Sequence, residues 1–268
     1  MRDSFTTDYW DTIIAESTGG GHEDLWRAHL KEVYKGLMDR WGENLCEGST
    51  LKTDLYDEAI SDHSLISLCG RECSVIGTEG SFGVAMAAKK RVRNKCGGLR
   101  NVVCSDIRSL AFRSDSFDRI LSNSTLDHFH HKKDLIAGLK ELRRIMKPGG
   151  TLIISLDNPS NPIVLVRNFL PYKLLKFFGF IPFYMGVTLS GSKLTRALES
   201  IGFTIQANTA IVHSPRILAI WIGYVLDKIA NKKIKVHFHR LLNTFERLEK
   251  LPLKCFSGYF VAVKAIKR

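Results

Sequence analysis

Apolar positions along the chain change their spacing close to residue 50. Upstream of it they recur every three or four residues, which predicts an amphipathic helix over residues 22–41. Five apolar side chains mark that helix: Trp26, Leu30, Val33, Leu37 and Trp41. Downstream, short apolar runs alternate with stretches of helical spacing, the pattern of a parallel sheet with crossover helices. We predict seven strands, at residues 50–55, 73–78, 101–105, 117–122, 151–156, 203–212 and 257–266.

Helical spacing also predicts helices at 81–91, 134–146 and 192–200, and two more within 215–250. Residues 157–190 hold four of the seven prolines and are aromatic and basic. We interpret them as an irregular insertion or lid. The predicted organisation is an N-terminal helical cap over 1–48 followed by one domain over 49–268, with the lid at 157–190 and a helical insertion at 215–250.

Composition adds a strong positive charge to this picture. Hydrophobic residues make up 44% and charged residues 25%, ordinary for a globular protein, but the net charge is +12. Such a field favours anionic partners such as phosphate groups, RNA or an anionic membrane surface, without choosing among them. The six cysteines are scattered, and the Cys69/Cys73 pair has no second pair to complete a zinc set. We therefore predict no metal site, and reduced thiols in a cytoplasmic protein.

Carboxylates follow three of the first four predicted strands. Asp54, Asp57 and Glu58 end the first, Glu79 ends the second and Asp106 ends the third. The fourth ends in Ser122, Asn123 and Ser124. Because ligands of doubly wound sheets bind outside the carboxyl ends of the strands, we expect these side chains to share one rim. Carboxylates there suit ribose hydroxyls, an exocyclic amine or a cationic centre.

Residues 102–129, VVCSDIRSLAFRSDSFDRILSNSTLDHF, carry the most specific motif. This stretch resembles the class I S-adenosylmethionine-dependent methyltransferases, particularly the ubiquinone/menaquinone-type group. In that family an acid, here Asp106, contacts the adenine amine and precedes a short link into the fourth strand. Ala111 stands where proline is usual in this link. The resemblance extends well over residues 50–156, including LKELRRIMKPGGTLIIS at 139–155, and more loosely over 192–266.

The position of the first loop needs a choice between two segments. If VIGTEGSFG at 75–83 were the family's glycine loop, only ten residues would separate Asp106, as the second-strand acid, from the SFD motif. That spacing leaves no room for a third strand and its helix. If TLKTDLYDE at 50–58 is the first strand, Glu79 follows Asp54 by 25 residues and becomes the ribose-binding acid. The second arrangement fits, and it replaces the glycine loop by an acidic one.

The resemblance implies a doubly wound, Rossmann-like methyltransferase fold with a seven-stranded, mostly parallel sheet and an antiparallel last strand. It also implies S-adenosyl-L-methionine as the cofactor. We expect Asp54, Asp57 or Glu58 to hold the methionine ammonium, with Lys52 and Thr53 near its carboxylate. The alternative is a degenerate loop that no longer binds cofactor. The implied cofactor-binding residues are Thr53, Asp54, Asp57, Glu58, Glu79, Gly80, Ser81, Asp106, Ile107 and Asn123.

The acceptor side is less defined by the sequence. His128 lies just past the fourth strand and is a candidate general base, or else a residue that caps a helix or packs under the lid. The aromatic, basic segment 163–185 and the NKKIK at 231–235 suit a greasy pocket or peripheral contact with the anionic inner face of a membrane. We therefore expect a methyltransferase for a small, hydrophobic or lipid-linked acceptor. The alternatives are an RNA-modifying methyltransferase and a non-catalytic scaffold.

Overall fold

A computed structural model describes residues 7–17, 24–44, 46–61, 65–66, 75–95, 99–171, 174, 186–229 and 231–268. Its strands are β1 (Thr50–Thr53), β2 (Val75–Glu79), β3 (Leu99–Cys104), β4 (Phe117–Asn123), β5 (Met146–Asp157), β6 (Phe203–Ile211) and β7 (Phe260–Lys267). Its α-helices are α1 (Thr7–Ser17), α2 (Asp24–Arg40), α3 (Tyr56–Ile60), α4 (Phe82–Lys95), α5 (Lys132–Ile145), α6 (Pro162–Phe169), α7 (Gly191–Ser200), α8 (Arg216–Ile229), α9 (Lys232–Phe245) and α10 (Lys254–Ser257). Short 3₁₀ turns occur at Leu126–His128 and Glu246–Lys250.

The strands form one sheet in the order β3-β2-β1-β4-β5-β7-β6. Strands β1 to β5 pair in parallel, whereas β7 runs antiparallel to both β5 and β6. This is the predicted doubly wound fold with its antiparallel last strand. The order reverses between β1 and β4, so the switch point at which such folds bind ligands lies between their carboxyl ends.

Two apolar clusters cover the two faces of the sheet. Alternation along β4 and β5 sends Leu121 and Ile153 to one cluster, and Ile120 and Leu152 to the other. On the second face α5 packs with a fully buried stripe made of Leu135, Leu139, Leu142 and Ile145. The helical spacing that predicted this helix therefore reflects its burial against the sheet.

The predicted elements agree with the structure to within a few residues, except near the lid and the N-terminus. Residues 162–169 form a regular helix, α6, so the prediction of an irregular segment is wrong there. Asn161 explains the helix, because its side chain accepts hydrogen bonds from the first turn and a proline follows it. The helix α1 was not predicted. Residues 172–173 and 175–185 of the lid lie outside the described residues.

The prediction that all cysteines are reduced is also wrong, because Cys46 is disulfide-bonded. Cys104 and Cys255 are free thiols. Cys69 and Cys73 lie outside the described residues. Among the helices that the structure describes, none is long and apolar enough to cross a membrane.

Candidate active site

The switch point between β1 and β4 is lined by a hydroxyl cluster. Thr53, the last residue of β1, donates to Ser122 Oγ at 2.9 Å, and its Oγ1 lies 2.8 Å from Thr125 Oγ1. Asn123, which follows Ser122 and ends β4, has a buried Oδ1 with no hydrogen-bond partner among the described residues. A buried amide oxygen without a partner is costly unless a ligand or water donates to it. This end of the sheet therefore has unused acceptor capacity.

The acidic first loop has a glycine-like backbone. Asp54 has φ +63°, in the left-handed region where glycine is usual and aspartate is among the tolerated residues. Its Oδ1 accepts a hydrogen bond from the Tyr56 N–H at 2.8 Å, which closes the turn. Burial and then the neighbouring Glu79 carboxylate raise the pKa of Asp54 well above its usual range. The chain thus keeps the shape of a tight turn while placing a carboxyl group in it.

Two of the three predicted loop acids have partners inside the protein. Glu58 is fully buried in an ion pair with Lys52, whose Nζ lies 2.9 Å from Glu58 Oε2. Lys52 also donates to the carbonyl of Asp54 and so anchors the turn. Asp57 pairs with Arg27 of α2. Of the three loop carboxyl groups, Asp54 is the one that lies near Glu79, the acid at the end of β2.

Glu79 connects the first two loops. Its Oε2 accepts from the Leu55 N–H at 2.9 Å and its Oε1 from the Ser81 N–H at 3.1 Å. Each carboxylate oxygen has a second lone pair, so two hydroxyl donors could still bind. Gly80 beside it is exposed, and Ser81 is buried. Glu79 is therefore positioned both to hold the loops and to receive a ligand.

Asp106, at the end of β3, is exposed but paired. Arg108 donates to it from its backbone N–H at 2.8 Å and from two guanidinium nitrogens. Burial acts to raise the pKa of Asp106, but these hydrogen bonds outweigh it and hold the pKa below its usual range. The side chain of Ile107 packs in the core cluster beneath. Asp106 is thus ionised and exposed, with Arg108 as a competitor for any ligand amine.

An N-terminal helix covers this rim. Asp11 of α1 accepts hydrogen bonds from the Ser81 hydroxyl and, at 2.8 Å, from the Gly83 N–H at the start of α4. Trp10 stands edge-on to Tyr56, with ring centroids 5.9 Å apart, and to His128, at 4.9 Å. The sequence prediction missed this helix, although Trp10, Ile13 and Ile14 have helical spacing that could have revealed it.

A second group of buried polar side chains lies beyond the ends of β4 and β5. Asp127 is fully buried, and its Oδ2 accepts from the Asp157 N–H at 2.8 Å and from Ser124 Oγ at 2.9 Å. Burial and then Asp157 raise the pKa of Asp127. Asp157 in turn pairs with Arg167 of α6 at 2.5 Å. Each aspartate keeps one buried oxygen with no hydrogen-bond partner among the described residues.

Tyr34 of α2 reaches the same place, because its hydroxyl lies 2.7 Å from Ser155 Oγ on β5. Burial raises the pKa of Tyr34, and the nearby carboxylates Asp127 and Asp157 add to that rise. The half-buried His128 lies next to Asp127 in the chain. Of this group the sequence analysis names His128 alone. Asp157 ends β5 and does not belong to the predicted lid, and its alternation with Ser155 is the signal that could have shown this.

Comparisons with known proteins agree with this architecture. Residues 61–154 match the model of a family described as a methyltransferase domain. The chain is 39% identical over 57 residues to "Probable tRNA methyltransferase 9B" of Homo sapiens, which covers 21% of this chain and 12% of that protein. It is 33% identical over 78 residues to "Malonyl-[acyl-carrier protein] O-methyltransferase" of Halorhodospira halophila, covering 28% of this chain and 25% of that protein. The matches thus span a small part of these relatives.

A solved structure described as a SAM dependent methyltransferase from Archaeoglobus fulgidus aligns over 97% of this chain and the whole of that one. The TM-score is 0.54 and the sequence identity 16%. At that identity the likeness establishes the fold. The strand order, the switch point and the family match therefore point to the same kind of domain.

Proposed function

Since the chain carries a methyltransferase domain of the class I S-adenosylmethionine-dependent family, we propose that it transfers a methyl group to a small hydrophobic or lipid-linked acceptor. The observation that carries this proposal is the acidic rim at the switch point. Asp54 and Glu79 stand together at the ends of β1 and β2, and Asn123, with its unsatisfied amide oxygen, ends β4 on the other side of β1. S-adenosylmethionine supplies, when bound, an electrophilic methyl group on a positively charged sulfur.

The residues present fit that cofactor at three points. Glu79 has lone pairs left for ribose hydroxyls after holding the Leu55 and Ser81 N–H groups. Asp54 suits the methionine ammonium, because a bound cation would favour its ionised form. Asn123 offers the unsatisfied Oδ1. Asp106 would accept a hydrogen bond from an adenine amine if its ion pair with Arg108 opened. Asp57 and Glu58 instead stabilise the loop through their ion pairs with Arg27 and Lys52.

The acceptor would approach from the ends of β4 and β5. Here Asp127 and Asp157 keep unsatisfied oxygens that could accept a hydrogen bond from an acceptor hydroxyl or amine. Methyl transfer needs alignment and exclusion of water above all. Trp10 of α1, beside His128, and α6, which holds Asp157 through Arg167, would provide both. His128, next to Trp10, remains the candidate general base.

Isothermal titration with S-adenosylmethionine tests the cofactor part. We expect wild-type protein to bind and Glu79→Ala to lose about tenfold or more in affinity, because hydrogen bonds to a charged group are worth about 1.5–3 kcal/mol. Asp54→Ala should weaken binding similarly. Asp39→Asn, a change at an exposed carboxylate of α2, is the matched control and should bind as wild type. A wild-type protein that gives no heat of binding would refute the cofactor assignment.

A labelling experiment tests the acceptor. The protein is incubated with S-adenosylmethionine carrying a tritiated methyl group and with either a total lipid extract or total RNA. We expect label in the lipid fraction. The second candidate is RNA modification, favoured by the similarity to a protein named as a probable tRNA methyltransferase and by the net charge of +12. Label confined to the RNA fraction would establish that alternative and overturn the lipid-linked acceptor.

A further inference from the structure

The helix α6 is packed with its charged residue inward and its apolar residues outward. Val164 and Arg167 are buried, and Arg167 is held by Asp157 at 2.5 Å and by the Tyr259 hydroxyl at 3.1 Å. The outward side chains are Ile163, Leu165, Val166 and Phe169, the last of them 81% exposed. A helix that buries its arginine and exposes its largest apolar groups has an outer face suited to an apolar medium.

The helix α8 also exposes its large apolar side chains, but it buries small residues instead of a charged one. Its buried positions are the small residues Ala219 and Gly223. A Cβ atom at Gly223 would lie 3.7 Å from Leu25 Cβ of α2, an ordinary contact distance, so this side of α8 packs directly against α2. Its outward face carries large apolar side chains: Ile217, Leu218, Trp221 and Tyr224, followed by Ile229 beyond Lys228. Trp221 is 66% exposed.

Tyr259, which is buried, contacts residues of both helices. Arg167 of α6 donates to the Tyr259 hydroxyl, and the guanidinium of Arg216, the first residue of α8, lies 4.7 Å from the centroid of the same ring. Asn161, which caps α6, donates to the Ser257 carbonyl at 3.0 Å at the end of α10. The exposed Leu253 and Phe256 flank that contact. We call the outward residues of α6, α8 and α10 together the apolar face.

The segment that contains α8, α9 and α10 is basic, and its acids are already paired. Residues 216–257 contain nine Lys and Arg and three acids. Asp227 pairs with Lys235, Glu249 with Arg40, and Glu246 accepts from the His213 N–H. The exposed cations of the segment are Lys228, Lys232, Lys233, Arg240, Arg247 and Lys250. The segment thus combines exposed apolar side chains with exposed cations.

We propose that this face docks on the surface of an anionic phospholipid bilayer. Exposed Trp and Tyr beside Lys and Arg match the layered chemistry of a membrane interface, where apolar side chains enter the acyl boundary and cations meet the headgroups. A protein–protein interface is depleted of lysine at its core, so the excess of exposed lysines in this segment favours a membrane over a protein partner. The Arg167–Asp157 contact joins this face to the acceptor side of the candidate site. Docking there would bring a lipid-linked acceptor to the ends of β4 and β5.

Vesicle co-sedimentation tests the docking with the full chain. Vesicles of phosphatidylcholine are compared with vesicles of equimolar phosphatidylcholine and phosphatidylglycerol. We expect wild-type protein to sediment with the anionic vesicles alone. The Phe169→Ser/Trp221→Ser variant should lose at least tenfold in partitioning. Phe82→Ser on α4, which removes an exposed phenyl ring near β2 in the other half of the sheet, is the matched control and should partition as wild type.

Charge is tested by Lys228→Glu/Lys232→Glu/Lys233→Glu, which should also lose at least tenfold in partitioning, against the control Lys89→Glu/Lys90→Glu on α4. A second readout is the tryptophan emission, which should shift to shorter wavelength with anionic vesicles in wild-type protein and not in Trp221→Phe.

Wild-type protein that does not sediment with anionic vesicles, or a Phe169→Ser/Trp221→Ser variant that still binds them, would overturn the proposal. So would a dimer in sedimentation velocity that Trp221→Ser disperses, because a second copy would then cover the face. Titration with S-adenosylmethionine is run on each variant in parallel, so that failure to dock is distinguished from failure of the proposed methyl transfer.

Discussion

Replacing Lys52 by methionine removes the cation beneath the first loop. The Lys52 and Glu58 side chains are 6% and 0% exposed, and their charged atoms lie 2.9 Å apart. Glu58 Oε1 already has no hydrogen-bond partner among the described residues, so the variant leaves its carboxylate buried without a cation. Breaking a buried pair in this way costs about 3–5 kcal/mol. For a chain of this size that corresponds to a fall of about 6–20 °C in Tm.

Urea unfolding followed by circular dichroism measures the loss, with Lys35→Met as the matched control. Lys35 pairs with Asp39 at 2.5 Å on the exposed side of α2, and an exposed pair contributes less than about 1 kcal/mol. The double variant Lys52→Met/Glu58→Met should recover most of the loss, because two methionines fill similar space and leave no buried charge.

The loss in Lys52→Met should also depend on pH. Burial raises the pKa of Glu58, and Lys52 is the group that opposes this rise in the wild type. Without Lys52 the folded-state pKa rises further above the unfolded value of about 4.3. A group with a raised folded pKa stabilises below its unfolded pKa and loses that contribution as pH rises. The variant should therefore be closest to wild type at low pH. A loss below about 1 kcal/mol at neutral pH would refute the reasoning that an uncompensated buried charge controls this loop.

Three further changes test other parts of the structure. Asp54→Asn should retain the turn and raise stability toward alkaline pH in urea unfolding, because the raised pKa of Asp54 makes its ionisation destabilising as pH rises; an alkaline profile equal to that of wild type would contradict this. Gly186→Ala should lower stability by about 1–3 kcal/mol in thermal unfolding, since a Cβ would meet the Phe129 carbonyl oxygen at 2.1 Å, and an unchanged Tm would contradict that contact. Hydrogen bonds from Ser49 lower the pKa of Asp118, so its contribution is present above its unfolded pKa of about 4 and is lost in acid. The stability gap between wild type and Asp118→Asn should close as pH falls below that value, and a constant gap would argue against the shift.

Much of the fold could be predicted from local spacing. Each strand was located to within a few residues, and so were α2 and α5, because burial of one face forces a periodic pattern into the sequence. The helix α6 was missed because the prediction assumes that apolar residues mark the buried face. Its apolar residues lie outside and its arginine inside, so its pattern does not report burial in the usual way. The helix α1 was missed although Trp10, Ile13 and Ile14 have helical spacing, because that pattern extends over little more than one turn.

The candidate site divides along similar lines. The sequence placed Asp54, Glu79 and Asp106 at strand ends, and the topology then required those ends to share one edge. It could not say which carboxylates would be free. That depends on partners distant in the chain, such as Arg27 for Asp57 and Arg167 for Asp157.

The sequence by itself determined most of the order of elements and the row of acids at the strand ends, because these follow from periodicity and from short spacings along the chain. The resemblance of residues 102–129 to class I methyltransferases implied the doubly wound sheet. Only the tertiary structure decided that Glu58 neutralises Lys52 under the loop and that Asp127 and Asp157 form a second buried group beyond it. Ion pairing and desolvation depend on distances between residues far apart in sequence. Those distances do not exist until the sheet and its helices have packed.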